Sequence, residues 1–379
     1  MRVLWWSNHP TAPTGYGQQT AIWCRKLRDE GHDVVISANY GGEPRAHHWE
    51  DIPVLPPGEH QFGTDSLAED CRTVEPDVTF GLYDVWAVDC TLEGRVGWWT
   101  PVDHSPLPPK VLASVQKLGA VPVAMSQWGA EQFAVNKQPA LYAPHGIDTE
   151  VFAPVDRAEA RRLLGFDKDT FLVGMVAANK GAGWLRKGWD VAFQAFAALA
   201  KQHDDALLFC HTKRNPPSGI DLALLASTYQ VPEHALQFQP SPLLRYGVSD
   251  RKMATLYSAF DVLLAPSLGE GFGIPVIEAQ ACGVPVIVTD ATAQSELCGA
   301  GWKVPGHFLW DSAQAADWVR PYDALLKQAL FDAYEARGDQ QLQGDARTFA
   351  EQYDYRVVWD THMRDVFAEL VPQPSPIVV

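Results

Sequence analysis

Between Asp261 and Asp290 the chain reads DVLLAPSLGEGFGIPVIEAQACGVPVIVTD, and no other stretch limits the possible folds as much. Asp261–Pro266 is a short apolar run of branched residues closed by a proline, the pattern of a buried parallel strand. A turn with Gly269, Gly271 and Gly273 follows. Pro275 suits a first helical position, where a missing N–H costs nothing. The helix is predicted to run to about Cys282, with Gly283 just past its end. Pro285–Thr289 reads as the next buried strand.

A glycine-rich turn at a helix start has a chemical use. The free N–H groups and the helix dipole favour an anion, and glycines let the backbone approach it closely. Glu270 sits in the turn and Glu278 in the early helix. Helical side chains lean toward the N-terminus, so Glu278 can reach back over the loop. A phosphate-binding helix start beside two hydroxyl acceptors suits a nucleotide sugar. By spacing alone, Glu278 is equally well a helix-capping carboxylate and Glu270 a solvated loop residue.

The stretch EGFGIPVIE resembles the E-x7-E motif of retaining glycosyltransferases of the GT-B fold, especially family 4. The aspartate-led strand, the serine before the loop and the A-C-G-V-P-V after it match as well. The resemblance implies an α/β, GT-B architecture: two Rossmann-like domains facing across a cleft, with a C-terminal helix crossing back to the first. It implies that Glu270 contacts the donor sugar and Glu278 the ribose hydroxyls. Gly271 belongs to the same turn, and Phe272 and Gly273 offer backbone N–H groups to the donor. The N-terminal T-G-Y-G-Q-Q-T loosely resembles phage-encoded glycosyltransferases.

The 379 residues suffice for two domains, and 46% hydrophobic content excludes global disorder. No apolar run reaches the ~18 residues that span a bilayer, and MRVLWWSNHP reads as a first strand rather than a signal peptide. Six scattered cysteines without C-x-x-C fit a reducing cytosol and no structural zinc, so a cytoplasmic protein is expected, in the host cytoplasm if phage-encoded. The net charge is −16, with −9 on residues 1–155 and −7 on the rest. Neither half shows the basic footprint of a duplex- or anionic-membrane-binding protein.

In chain order, Arg2–Ser7 is the first strand, and Thr14-Gly15-Tyr16-Gly17 opens a helix to about Glu30. The resemblance places a glycine pair here, lining the cleft, so Gly15 and Gly17 are candidate ligand contacts. Residues 41–75 read as irregular connections around short elements. Asp77–Leu82 and Gly97–Val102 are strands, and Asp103-His104-Ser105 follows at the edge where α/β sheets place ligands. A lone histidine there is often a structural residue; the resemblance makes His104 a contact to the transferred sugar. APHGIDTEVFAP (143–154) resembles the turn that ends the first domain, with His145 where asparagine is usual. Domains are therefore expected at 1–155, joined by a helix at about 355–379, and at 156–354.

In the second domain a strand at Phe171–Ala177 precedes a helix from about Gly188. The resemblance gives Lys187 a grip on the donor diphosphate. The family's arginine is replaced by Ala178-Asn179, so Lys180 or Arg186 is left to supply the second cation. Ala313–Gln328 and Leu342–Leu370 look helical. The expected reaction is metal-independent, retaining transfer from a UDP- or GDP-linked sugar to a hydroxyl of a glycan, small molecule or protein, with no other cofactor. Two other possibilities are a hydroxymethylated base in DNA as acceptor, disfavoured by charge, and a non-catalytic nucleotide-sugar or glycan-binding protein.

Overall fold

A computed structural model describes residues 1–60, 62–180 and 185–371. They form two compact units. The first is Met1–Gly146 with Ala313–Ala316 and the segment from Tyr355; the second is Ile147–Ser312 with Asp317–Asp354. The division lies at Gly146 rather than near Val155. The Ile147 N–H donates to the Tyr353 carbonyl at 2.9 Å and the Thr149 hydroxyl to Asp354 at 2.6 Å, which ties 147–154 to the second unit.

The first unit is built on β1 (Arg2–Asn8), β2 (Asp33–Tyr40), β3 (His47–Trp49), β4 (Ile52–Leu55), β5 (Val78–Leu82), β6 (Val96–Thr100), β7 (Val121–Ala124) and β8 (Leu141–Tyr142). Their order is β3-β4-β2-β1-β5-β6-β7-β8, and only β3 runs antiparallel to its neighbour. The adjacent tryptophans of β1 and β6 explain why both faces are covered. Trp6 meets Trp98 on one face, while Trp5 and Trp99 meet Phe80 on the other, and all are fully buried. Within 41–75, the stretch Thr64–Val74 is a full helix rather than an irregular connection. The expected helix over 342–370 breaks at Gln352–Asp354; its second part, from Tyr355, belongs to the first unit, where Phe367 stacks on Phe80.

The second unit holds β9 (Phe171–Val176), β10 (Ala206–His211), β11 (Leu236–Phe238), β12 (Val262–Ala265), β13 (Val286–Thr289) and β14 (Gly301–Val304). They are all parallel, in the order β11-β10-β9-β12-β13-β14. Asp261 anchors the start of β12: its buried carboxylate takes Arg157, Arg161 and the Leu172 N–H. Residues 313–321, expected to be helical, instead form a turn and then β16 (Ala316–Pro321), which pairs with β15 (Gly306–Asp311) in a two-stranded sheet. Ala316 and Trp318 are buried at the two-residue spacing of a strand, and the Val319 N–H donates to the Leu268 carbonyl at 2.9 Å. The helix begins only at Asp323, after Pro321. No helix among the described residues is long and apolar enough to cross a membrane.

Candidate functional site

The glycine turn leads from β12 into the helix Ile274–Ala281, entered through Gly273 at φ +122°, a conformation that side chains oppose. A second loop packs against it. Gly188 has φ +70°, and a Cβ there would lie 2.1 Å from the Pro266 carbonyl oxygen. The Leu268 N–H donates to the Arg186 carbonyl at 2.7 Å. This close approach sets Arg186 and Lys187 against the turn. Arg186 Nη1 donates to the Gly269 carbonyl at 2.7 Å and to Glu270 Oε2 at 3.2 Å, and Lys187 Nζ donates to Glu270 Oε1. The Glu270 N–H donates to Thr292 Oγ1 at 3.1 Å.

The Glu270 side chain is only 13% exposed. Burial opposes its ionisation, but Lys187 and then Arg186 outweigh burial and hold its pKa at about 2. Burial and Arg186 lower the Lys187 pKa, against the opposing pull of Glu270. One anion therefore serves two crowded cations. Glu278 is buried in the helix and accepts a hydrogen bond from Tyr257 Oη at 2.8 Å. Phe272 is also buried, with its ring 5.8 Å from that of Tyr353.

Asn179, at the position of the missing arginine, has a scaffold role. Its amide donates to the carbonyls of Lys213 and Ile220 and accepts from the Ile220 N–H. Lys180 is exposed, whereas Arg186 stands beside Lys187.

In the first unit, Thr14 caps the helix Gly15–Asp29, its hydroxyl accepting the Gly17 N–H at 3.0 Å. Gly15 is exposed; Gly17 is buried, and a Cβ on it would come 2.4 Å from the Ala12 carbonyl oxygen. His104 is 1% exposed, with Nδ1 held by Asp103 Oδ1 at 2.6 Å. His145 is buried over Trp99, and burial pushes its pKa down to about 3.

Several partners were not legible in the sequence. Tyr257 and Thr292 lie 21 and 22 residues from the carboxylate and the N–H they bond. Arg320 of β16 pairs with the buried Asp190, 130 residues away, just beyond Lys187. Tertiary packing brings these together, and no local pattern marks them.

Residues 173–328 match the family model described as Glycosyl transferases group 1. The chain is 30% identical over 207 residues to the D-inositol 3-phosphate glycosyltransferase of Pseudarthrobacter chlorophenolicus. That match covers 53% of this chain and 44% of the relative, so the chain spans less than half of that relative's length. Sucrose-phosphate synthase from Thermosynechococcus elongatus has a similar structure, with a TM-score of 0.73 at 16% identity over 98% of this chain and 99% of that one. Anabaena HepE in complex with UDP-glucose gives 0.69 at 15% identity, over 97% and 100%. The chain thus has the GT-B fold, an α/β architecture of two Rossmann-like units, and its residues 173–328 carry a glycosyl transferases group 1 domain.

Proposed function

We propose that this protein transfers a sugar from a nucleotide diphosphate sugar to an acceptor hydroxyl, with retention of configuration and without a metal. The observation that carries the proposal is the buried convergence of Lys187 and Arg186 on Glu270, at a glycine-rich helix start. As the bond between the anomeric carbon and the diphosphate breaks, negative charge builds on the leaving group. Two fixed cations and a helix N-terminus stabilise that charge without reorganising. In this assignment Glu270 turns to the sugar and Glu278 to the ribose. The backbone at Gly271, Phe272 and Gly273 meets the donor. His104 contacts the transferred sugar, and Gly15 and Gly17 border the acceptor.

The UDP-glucose complex of HepE supports a uridine nucleotide, with a GDP-linked sugar as the alternative donor we assign. The acceptor hydroxyl belongs to a glycan, small molecule or protein. The described cysteines are all free, which fits the cytoplasmic setting we assign. A thermal-shift screen of UDP- and GDP-sugars tests the donor, since a bound donor raises the melting temperature by mass action. Proton NMR of the product then reads the anomeric configuration, and inversion would refute the assignment.

A further inference from the structure

Two buried amides in the first unit have atoms with nothing to bind. Asn39, in β2, is 7% exposed, and neither its Oδ1 nor its Nδ2 has a partner. Asn8 ends β1 and is 5% exposed; its Nδ2 donates to Thr14 Oγ1 at 2.7 Å, but its Oδ1 has none. Orphaned buried polar groups are costly and rare, and a polar ligand is one reason to keep them. Both stand at the C-terminal ends of parallel strands, the edge at which such sheets bind ligands.

The surroundings define that ligand. Asn39 lies against Gly63, where a Cβ would come 3.1 Å from its own. From the neighbouring Phe62 the contacts continue: its ring is 6.4 Å from that of Tyr83, and the Tyr83 ring is 5.2 Å from that of Tyr16. Tyr16 Oη donates to Asp84 Oδ2 at 3.2 Å, and Asp103, which holds His104, also acts on that hydroxyl. The edge therefore combines amides, carboxylates and flat aromatic faces. The Lys110 ammonium sits over the Trp86 ring at 4.2 Å. Burial lowers the His9 pKa, so this neighbour of Asn8 adds no charge at neutral pH.

Building on the glycosyltransferase assignment above, we propose that this edge binds the acceptor and selects an unphosphorylated polyhydroxyl ring against its phosphate ester. Amide and carboxylate groups accept and donate to hydroxyls, and aromatic faces cover the C–H surface of the ring. Asp84 and Asp103 repel a phosphate.

The test uses the full chain and two probe pairs: glucose with glucose 6-phosphate, and myo-inositol with myo-inositol 1-phosphate. Saturation-transfer NMR reads binding without turnover, and a thermal shift with UDP-glucose reads the donor site separately. The unphosphorylated member of at least one pair should bind about tenfold more tightly than its ester. Asn39→Leu should raise the melting temperature, because it removes an unsatisfied amide, while weakening that same probe about fivefold. A structural asparagine does not produce these opposite changes. Asp84→Lys should narrow the preference. Equal or better binding of the esters, binding of neither member, or unchanged probe affinity in Asn39→Leu overturns the proposal. Sugar binding without any donor binding would instead refute the glycosyltransferase assignment and leave this site standing.

Discussion

The two sheets present the same kind of edge in opposite electrical states. In the second unit one carboxylate, Glu270, already carries Lys187 and Arg186. In the first unit the edge holds Asp84 and Asp103, with Asn39, whose amide lacks partners at both polar atoms, and Asn8, whose Oδ1 lacks one. In the proposed function, an arriving diphosphate exchanges one anion for another at the second edge, so no bare cation needs to be held buried beforehand. The first edge offers acceptors and donors for hydroxyls. Under the proposed assignments, one fold used twice sorts its two ligands by charge.

The largest effect expected follows from removing a cation. Lys187→Ala should cost on the order of 2–3 kcal/mol in turnover through loss of a charge-assisted contact to the leaving diphosphate. Arg186→Ala should act in the same direction and more weakly, because its shorter bond at Nη1 is to the neutral Gly269 carbonyl rather than to Glu270. His104→Ala, on the first unit's edge, should depress transfer and leave nucleotide affinity nearly unchanged. Steady-state kinetics beside nucleotide titrations separate these variants. If His104→Ala loses nucleotide binding as Lys187→Ala does, the two edges do not divide the ligands as described. Excess chelator should leave turnover intact; turnover that vanishes and returns with magnesium would mean that the cations at Glu270 are insufficient.

Acid should also test the buried groups. His145, with a pKa near 3 against an ordinary 6.5, is kept neutral by burial. The unfolded chain binds its proton below pH 6.5 and the folded chain does not, so stability falls as pH drops from 6.5 toward 3. By pH 5 the loss from this one group is about 2 kcal/mol at ~1.4 kcal/mol per pH unit. Glu270 is depressed from 4.5 to about 2, so its contribution is complete above 4.5 and is lost only between 4.5 and 2. Thermal unfolding should therefore show stability falling between pH 7 and 5, and His145→Asn should flatten the change; burial also lowers the His211 pKa in the second unit, which acts in the same direction. A wild type equally stable at both pH values would contradict the burial of a neutral imidazole.

Legibility followed the range of the interactions. The strand, glycine turn, helix and strand at 261–290 read within a residue or two, because proline and glycine mark their boundaries locally. Gly283 does follow the helix in a left-handed conformation, at φ +75°. Residues 313–321 misread as helix because Ala and Gln favour one, while the strand they form is fixed by a bond to Leu268, far back in the chain. The closeness of Arg186 to Glu270 came from a loop that only Gly188 allows to approach. The orphaned polar atoms of Asn8 and Asn39 had no signature at all, since a missing partner is a property of the packed state.

The smallest effect sharpens the comparison most finely. Glu278 is assigned to the ribose, yet in the structure its Oε2 accepts from the buried Tyr257 hydroxyl at 2.8 Å. A carboxylate so held is fixed in orientation, which in the proposed site is a positioning role for Tyr257. Tyr257→Phe removes one hydrogen bond to a charged group and little volume, so it should weaken nucleotide binding by about 1 kcal/mol. Glu278→Ala should weaken it more, because the ligand contact itself is gone. Binding of unphosphorylated sugar at the first edge should be the same in both variants. Calorimetric titration of UDP and of the sugar into each variant supplies the four numbers needed. If Tyr257→Phe lowers the melting temperature but leaves UDP affinity unchanged, the bond serves the core alone. If it weakens sugar and UDP together, the separation of the two edges fails.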